Sequence, residues 1–166
     1  MTDHNCMESL NEVVSKVFEQ TAFLFPEPAN LADGISFDDL ELFLVTITFS
    51  GDAEGDVSLI LPIEMCRELS SNILGEDAGE TEDREKYIDA VKEILNIITG
   101  QLLTKLFGHK ALFNLSAPQI MELNREEFFS TIEQKDYSCH LIEQYPVITT
   151  LTLRTGSYEH TGAGSR

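Results

Sequence analysis

The stretch LFLVTITFSGDAEGDVSLIL, residues 42–61, decides the fold class of this chain. Its first eight residues, 42–49, and its last six, 56–61, are rich in β-branched and aromatic side chains, which favour strands. Between them, SGDAEG at 50–55 is a cluster of turn-forming residues. The stretch therefore predicts a β-hairpin, whose two strands must pair antiparallel.

Helical patterns lie on both sides of this hairpin. Residues 7–24 carry apolar side chains at helical spacing, and two prolines end the pattern. A second helix is predicted over residues 63–74, because Pro62 precedes it where a first turn tolerates proline and Gly75 follows its end. The longest helix is predicted over about 83–107.

The rest of the chain favours further strands. Residues 111–115 are predicted as a strand, 125–132 as a short helix, and 137–142 with 147–153 as a second hairpin joined near residues 144–146. Since hairpins connect most strands, the expected fold is α+β, a mostly antiparallel sheet with long helices packed on it.

One short cluster occurs twice. The pattern ExxN joins Glu8 to Asn11 and, 85 residues later, Glu93 to Asn96, each time within a predicted long helix. A duplicated chain would produce this repeat and would fold as two pseudo-twofold halves. A four-residue match is equally consistent with coincidence, so both interpretations stay open.

The composition limits the classes of partner. With 29 acidic and 11 basic side chains, the formal net charge is −18. Phosphate backbones and anionic membrane surfaces repel such a chain, and no cluster of basic and aromatic residues offsets the repulsion. We therefore expect neither nucleic acid nor membrane as a partner. Solubility alone would also explain the acidity.

Length and residue types indicate one domain. Residues 1–155 are predicted to form it, and 156–166 a disordered tail. No apolar run approaches the roughly 20 residues of a membrane helix, and residues 1–8 lack the basic and apolar regions of a secretory signal. The three cysteines are far apart and odd in number, which favours reduced thiols over disulfides or a zinc site. A cytoplasmic location is expected.

The longest predicted helix carries an unusual polar stripe. Asp89, Glu93, Asn96 and Gly100 fall on one side of it. Its apolar residues lie on the other side and should pack on the sheet: Val91, Ile94, Leu95, Ile98 and Leu102. Asn and Gly are poor residues for a helix interior. The stripe is either a solvated face with an incidental glycine packing contact, or a surface that another protein's backbone approaches closely.

Four residues carry a family resemblance. Asp89, Glu93, Asn96 and Pro118 match, in order, the Asp/Ser, Glu, Asn, Pro signature of the CheC, CheX and FliY chemotaxis phosphatases. The segment EILNIITGQLLTKLFG, residues 93–108, is similar to the active helix of that family. The element order resembles the family over most of the chain, whereas the motif similarity covers only about residues 89–118.

The resemblance implies a phosphatase, most similar to CheX, that hydrolyses the aspartyl phosphate of a CheY-like response regulator. Glu93 and Asn96 would be the catalytic pair, with Asp89 and Gly100 contacting the substrate protein and Pro118 in a supporting role. No cofactor of its own is implied, because the regulator would bring the Mg²⁺. A homodimer is also implied, since CheX-like proteins pair through sheet edges.

Two departures and two rival functions remain. His4 stands four residues before Glu8, where the signature has Asp or Ser, and no proline follows near residue 33, so one site rather than two is expected.

The first rival is a catalytically silent module that docks a response regulator or a flagellar switch component. The second is a structural dimer with an accidental motif, which predicts that Asn96 is buried or covered.

Overall fold

A computed structural model describes residues 3–75 and 83–154, and the predicted tail 156–166 lies outside the described residues. The helices are α1 (His4–Ala22), α2 (Ile63–Leu74), α3 (Arg84–Phe107) and α4 (Arg125–Glu133), with one 3₁₀ turn at Leu31–Asp33. The strands are β1 (Glu27–Ala29), β2 (Leu42–Gly51), β3 (Glu54–Pro62), β4 (Phe113–Leu115), β5 (Gln119–Leu123), β6 (Asp136–Ile142) and β7 (Tyr145–Arg154).

All strand pairs are antiparallel, which confirms the predicted α+β class. The order across the sheet is β1-β6-β7-β3-β2, and both β4 and β5 pair with the outer side of β2. With β5 included, the order is β1-β6-β7-β3-β2-β5. If β1 is exchanged with β5, β2 with β6 and β3 with β7, the same order results, read from the opposite edge of the sheet. A duplicated chain would have such an order, and the superposition of the two halves stays a prediction.

The hairpin predicted from residues 42–61 is β2–β3, with Phe49 opposite Gly55. A Cβ at Gly55 would lie 1.9 Å from the carbonyl oxygen of Thr152 on β7, so only glycine fits there. The second hairpin, β6–β7, is also confirmed. Its turn consists of Glu143 and Gln144, both with positive φ, as in a type I′ turn.

Two details of the sheet differ from the prediction. Pro146 does not belong to the turn, because it lies in β7 opposite Leu141. The edge strands β1 and β5 were not predicted at all. β1 has three residues, one of them a proline, and β5 acquires its strand conformation by pairing with residues 42–46 of β2.

Helices α1, α2 and α3 pack on one face of the sheet, with α3 between the other two. The five apolar residues predicted to face the sheet from α3 are all buried. The opposite face of the sheet is partly covered by α4, where the ring of Phe128 packs 4.4 Å from that of Phe37. The polar side of α3 is therefore turned away from both cores.

No helix in the two described ranges is long and apolar enough to cross a membrane.

Candidate functional site

The stripe residues lie on one uninterrupted helix. At the start of α3, the Asp83 side chain accepts a hydrogen bond from the backbone N–H of Glu85 at 3.1 Å. At its end, the N–H of Gly108 donates to the carbonyl of Thr104 at 2.8 Å, and the positive φ of Gly108 turns the chain away. Both termini are thus capped, and the spacing of the stripe is fixed by helix geometry.

The four stripe residues differ in exposure. Asp89 and Glu93 are exposed, whereas Asn96 and Gly100 are half-buried in the layer of helices. Because the apolar residues of α3 pack on the sheet, the stripe should face outward, and this expectation is fully met only at its N-terminal half. Asn96 nevertheless remains accessible from outside the chain. The structural dimer with an accidental motif predicts that Asn96 is buried or covered, and burial within the chain is not observed.

The polar side chains of the stripe are not engaged inside the molecule. Among the residues that the structure describes, none forms a hydrogen bond or ion pair with the side chain of Asp89, Glu93 or Asn96. By contrast Thr99, on the buried side of the helix, donates its hydroxyl to the carbonyl of Leu95 at 2.8 Å. The amide of Asn96 and the carboxylate of Glu93 are consequently available to a partner.

Gly100 has no packing role within the chain. A Cβ built at this residue would meet no heavy atom within 4 Å outside the helix backbone around it. The fold therefore gives no reason for a residue that costs about 1 kcal/mol relative to alanine in a helix interior. The interpretation of Gly100 as an intramolecular packing contact is wrong, which leaves either a solvated helix face or the close approach of another molecule.

Pro118 lies in the sheet layer, not on the helix. It is half-buried in the link between β4 and β5. Ser116 fixes this link to β2, because its N–H donates to the carbonyl of Thr48 at 2.8 Å and its hydroxyl accepts from the N–H of Thr48 at 2.9 Å. The structure thus places Pro118 where it can shape the strand beside the helix.

A cleft next to the stripe was not predicted from the sequence. It has a volume of about 490 Å³ and lies between α1 and the C-terminal half of α3. Lys16 lines it from α1, Gly100 and Lys105 from α3, and His109 from the following loop. These residues are far apart in the sequence, so no motif could have joined them.

The buried thiols and the buried histidine are unsuited to nucleophilic catalysis. Burial raises the pKa of Cys66 to about 12 and that of Cys139 to about 11. Burial also lowers the pKa of His140, which is adjacent to Cys139 in β6 and therefore points to the opposite face of the sheet. Within residues 3–75 and 83–154, no three His, Cys, Asp or Glu side chains come together as metal ligands.

The sequence matches a known protein family. The model described as "Chemotaxis phosphatase CheX" covers residues 43–140, more than half of the chain, and this span includes the whole stripe and Pro118. The chain therefore belongs to the CheX family. No curated protein matches the sequence.

Solved structures share the fold at low sequence identity. The chemotaxis protein CheX from Vibrio vulnificus has a TM-score of 0.67 at 16% identity, and the match covers 93% of this chain and 99% of that one. CheX from Desulfovibrio desulfuricans gives 0.65 at 13%, over 90% and 99%. The CheX–CheY–BeF₃–Mg²⁺ complex from Borrelia burgdorferi gives 0.59 at 16%, over 89% and 96%. At such low sequence identities, these matches show a shared fold and not a shared activity.

Proposed function

We propose that this chain hydrolyses the aspartyl phosphate of a CheY-like response regulator. The observation that carries the proposal is the unengaged amide of Asn96, one turn after the unengaged carboxylate of Glu93, on the open side of a capped helix. The family to which the chain belongs is described as a phosphatase, and the Borrelia burgdorferi relative was solved with CheY.

In the proposed reaction, Asn96 holds a water molecule in line with the phosphorus atom. An acyl phosphate is already activated, so positioning and charge stabilisation are sufficient and no nucleophile from this chain is needed. A carboxamide suits the task, because its oxygen accepts a hydrogen bond from water, its nitrogen donates, and it stays neutral beside a dianion. The regulator would supply its own Mg²⁺ and a lysine to neutralise the charge.

The other stripe residues would orient the partner. Glu93 would pair with the lysine at the phosphorylation site and so set the depth of docking. Asp89, one turn earlier, would contact the rim of that site. Gly100 would let the partner's backbone approach the helix, and Pro118 would shape the neighbouring strand.

A catalytically silent docking module is the second candidate. It would use the same face of α3 to bind a response regulator or a flagellar switch component, and its fold would be the same. The pairing of Glu93 with Asn96 favours the enzyme, since docking alone does not require a neutral amide where the phosphoryl group would lie. Only a rate measurement separates the two functions.

The test is the lifetime of the regulator's aspartyl phosphate at fixed Mg²⁺ concentration. The wild-type protein should shorten it, and Asn96→Ala should lower the rate about 10²-fold or more, roughly 2.7 kcal/mol of lost transition-state stabilisation, with a smaller effect on binding. Cys139→Ser is the control, because this thiol lies in a buried cluster and the rate should not change. An Asn96→Ala protein as active as wild type would leave the chain a docking module.

We also infer a cytoplasmic homodimer, in keeping with a cytoplasmic signalling partner. The apolar strand β2 is paired on both sides, so the strands available for pairing are β1 at one edge of the sheet and β4 and β5 at the other. Sedimentation velocity should give twice the mass of the chain.

A further inference from the structure

The cleft between α1 and α3 is continuous with the surface proposed to face the regulator. Gly100 belongs both to the polar stripe and to the lining of the cleft. A partner that approaches the helix closely at Gly100 would therefore also cover the mouth of the cleft. The chemistry of the cleft then determines which side chain of the partner can enter it.

The cleft is cationic in a strongly acidic protein. The chain has 29 acidic residues and 11 lysines and arginines, yet two of these lysines, Lys16 and Lys105, line the cleft with a single carboxylate, that of Glu12. That carboxylate is occupied, because it lies 2.5 Å from the ammonium of Lys105. Lys16 is exposed and has no ion-pair or hydrogen-bond partner in the described part of the chain. Its ammonium is thus free to pair with a carboxylate of a partner.

The sign of the charge changes along α3. Asp89 and Glu93 make the first half of the stripe acidic. Gly100, where the cationic cleft opens, lies seven residues after Glu93, or about 10 Å along the helix axis. A partner that fits this face must carry a cation and an anion at a matching separation.

We propose that the α1–α3 cleft receives an acidic side chain of the phosphorylated response regulator, which pairs with Lys16 while the regulator's backbone crosses the helix at Gly100. This inference rests on the proposed function and adds a second contact to it. The regulator should present its carboxylate beyond Gly100, on the α1 side of the cation that meets Glu93. Lys16 is therefore a positioning residue, which affects the choice and orientation of the partner rather than the chemical step.

A charge reversal tests the contact. Lys16→Glu should raise the half-saturating concentration of phosphorylated regulator about tenfold at low salt and less at high salt, with an unchanged maximal rate. Arg154→Glu is the matched control, because it alters the net charge by the same amount at an exposed position at the end of β7. It should change the half-saturating concentration less than twofold. Equal effects of the two variants would overturn the proposal.

Cross-linking provides a direct measurement. A carbodiimide condenses an amine with a touching carboxylate and leaves no spacer between them. In the free protein it should join Lys105 to Glu12, which is the internal control. With a CheY-like regulator loaded with beryllofluoride and Mg²⁺, it should join Lys16 to an aspartate or glutamate of the regulator. A bound complex without this cross-link would contradict the assignment.

The two proposals fail in different ways. If Asn96→Ala abolishes hydrolysis while Lys16→Glu behaves as Arg154→Glu does, the cleft contact is wrong and the phosphatase stands. If the wild-type protein does not accelerate phosphate loss but binds the beryllofluoride-loaded regulator through Lys16, the docking contact stands and the phosphatase is wrong. If none of the CheY-like regulators of the same genome binds in that form, both are wrong.

Discussion

At the residue scale, the proposed roles of Glu93 and Asn96 differ in their dependence on charge. Glu93 would form an ion pair with the regulator, whereas Asn96 would position water as a neutral amide. Glu93→Gln keeps the size of the side chain and removes its charge. Because an intermolecular ion pair would be lost, the half-saturating regulator concentration should rise severalfold, more at low than at high salt, while the maximal rate stays close to wild type. Steady-state kinetics at two salt concentrations measure both quantities. A lower maximal rate without a change in half-saturation would instead place Glu93 in the chemical step.

His140 should make the stability of the fold depend on pH. The residue is only 2% exposed, its Nδ1 has no hydrogen-bond partner within residues 3–75 and 83–154, and burial lowers its pKa below the usual value of 6.5. The unfolded chain therefore binds a proton at a pH where the folded chain does not. Above pH 6.5, His140 is neutral in both states and the fold keeps its full stability. As the pH falls below 6.5, protonation of His140 in the unfolded chain lowers the free energy of unfolding.

Urea unfolding at pH 7.5 and at pH 5.5 measures this effect. Wild type should lose more free energy of unfolding between the two pH values than His140→Gln, in which the titrating group is absent. Carboxylates titrate in both proteins, so their contribution cancels in the comparison. The same pH dependence in both proteins would show that His140 is protonated equally in the folded and unfolded states.

At the scale of the element, Gly100 should act oppositely on the stability of α3 and on docking. Gly100→Ala should raise the free energy of unfolding by up to about 1 kcal/mol, since alanine favours a helix and the added Cβ meets nothing. The same methyl group should hinder the partner's approach and lower the rate of dephosphorylation at subsaturating regulator. Chemical denaturation and phosphate decay measure the two effects. A stabilised variant with full activity would show that the partner does not approach the helix closely there.

The elements that the sequence predicts are those with a strong pattern of their own. The helix over 83–107 and the hairpin over 42–61 carry their periodicity and their end signals locally. The edge strand β5 does not, because its conformation depends on pairing with a distant strand. The turn at 143–144 contains neither Gly nor Asn, the usual signals for its positive φ values.

The candidate site was likewise predictable where a local pattern places its residues, and not where it depends on contacts between distant parts of the chain. Its stripe belongs to a single helix, so spacing alone places Glu93 and Asn96 on one face. The cleft beside it depends on the packing of α1 against α3, which brings Lys16 close to residues more than 80 positions away. No local pattern contains that information.

At the scale of the whole molecule, the order of the sheet gives α1 and α3 equivalent positions relative to the central β3–β7 pair. Asn11 on α1 would then correspond to Asn96 on α3, and both Glu8 and Asn11 are exposed. The two helices are not chemically equivalent, however. On the same 85-residue offset, His4 would correspond to Asp89 and Ser15 to Gly100, and the Ser15 side chain would hinder a close approach.

We therefore expect one active site on two related helices. Asn11→Ala should change the rate of dephosphorylation less than twofold, and the double variant with Asn96→Ala should be no slower than Asn96→Ala alone, whose loss is about 10²-fold. Two working sites would give a different pattern, because each single variant would keep about half of the wild-type rate and only the double variant would lose the rest. Phosphate decay with the three variants, at equal concentrations of enzyme and Mg²⁺, distinguishes these patterns.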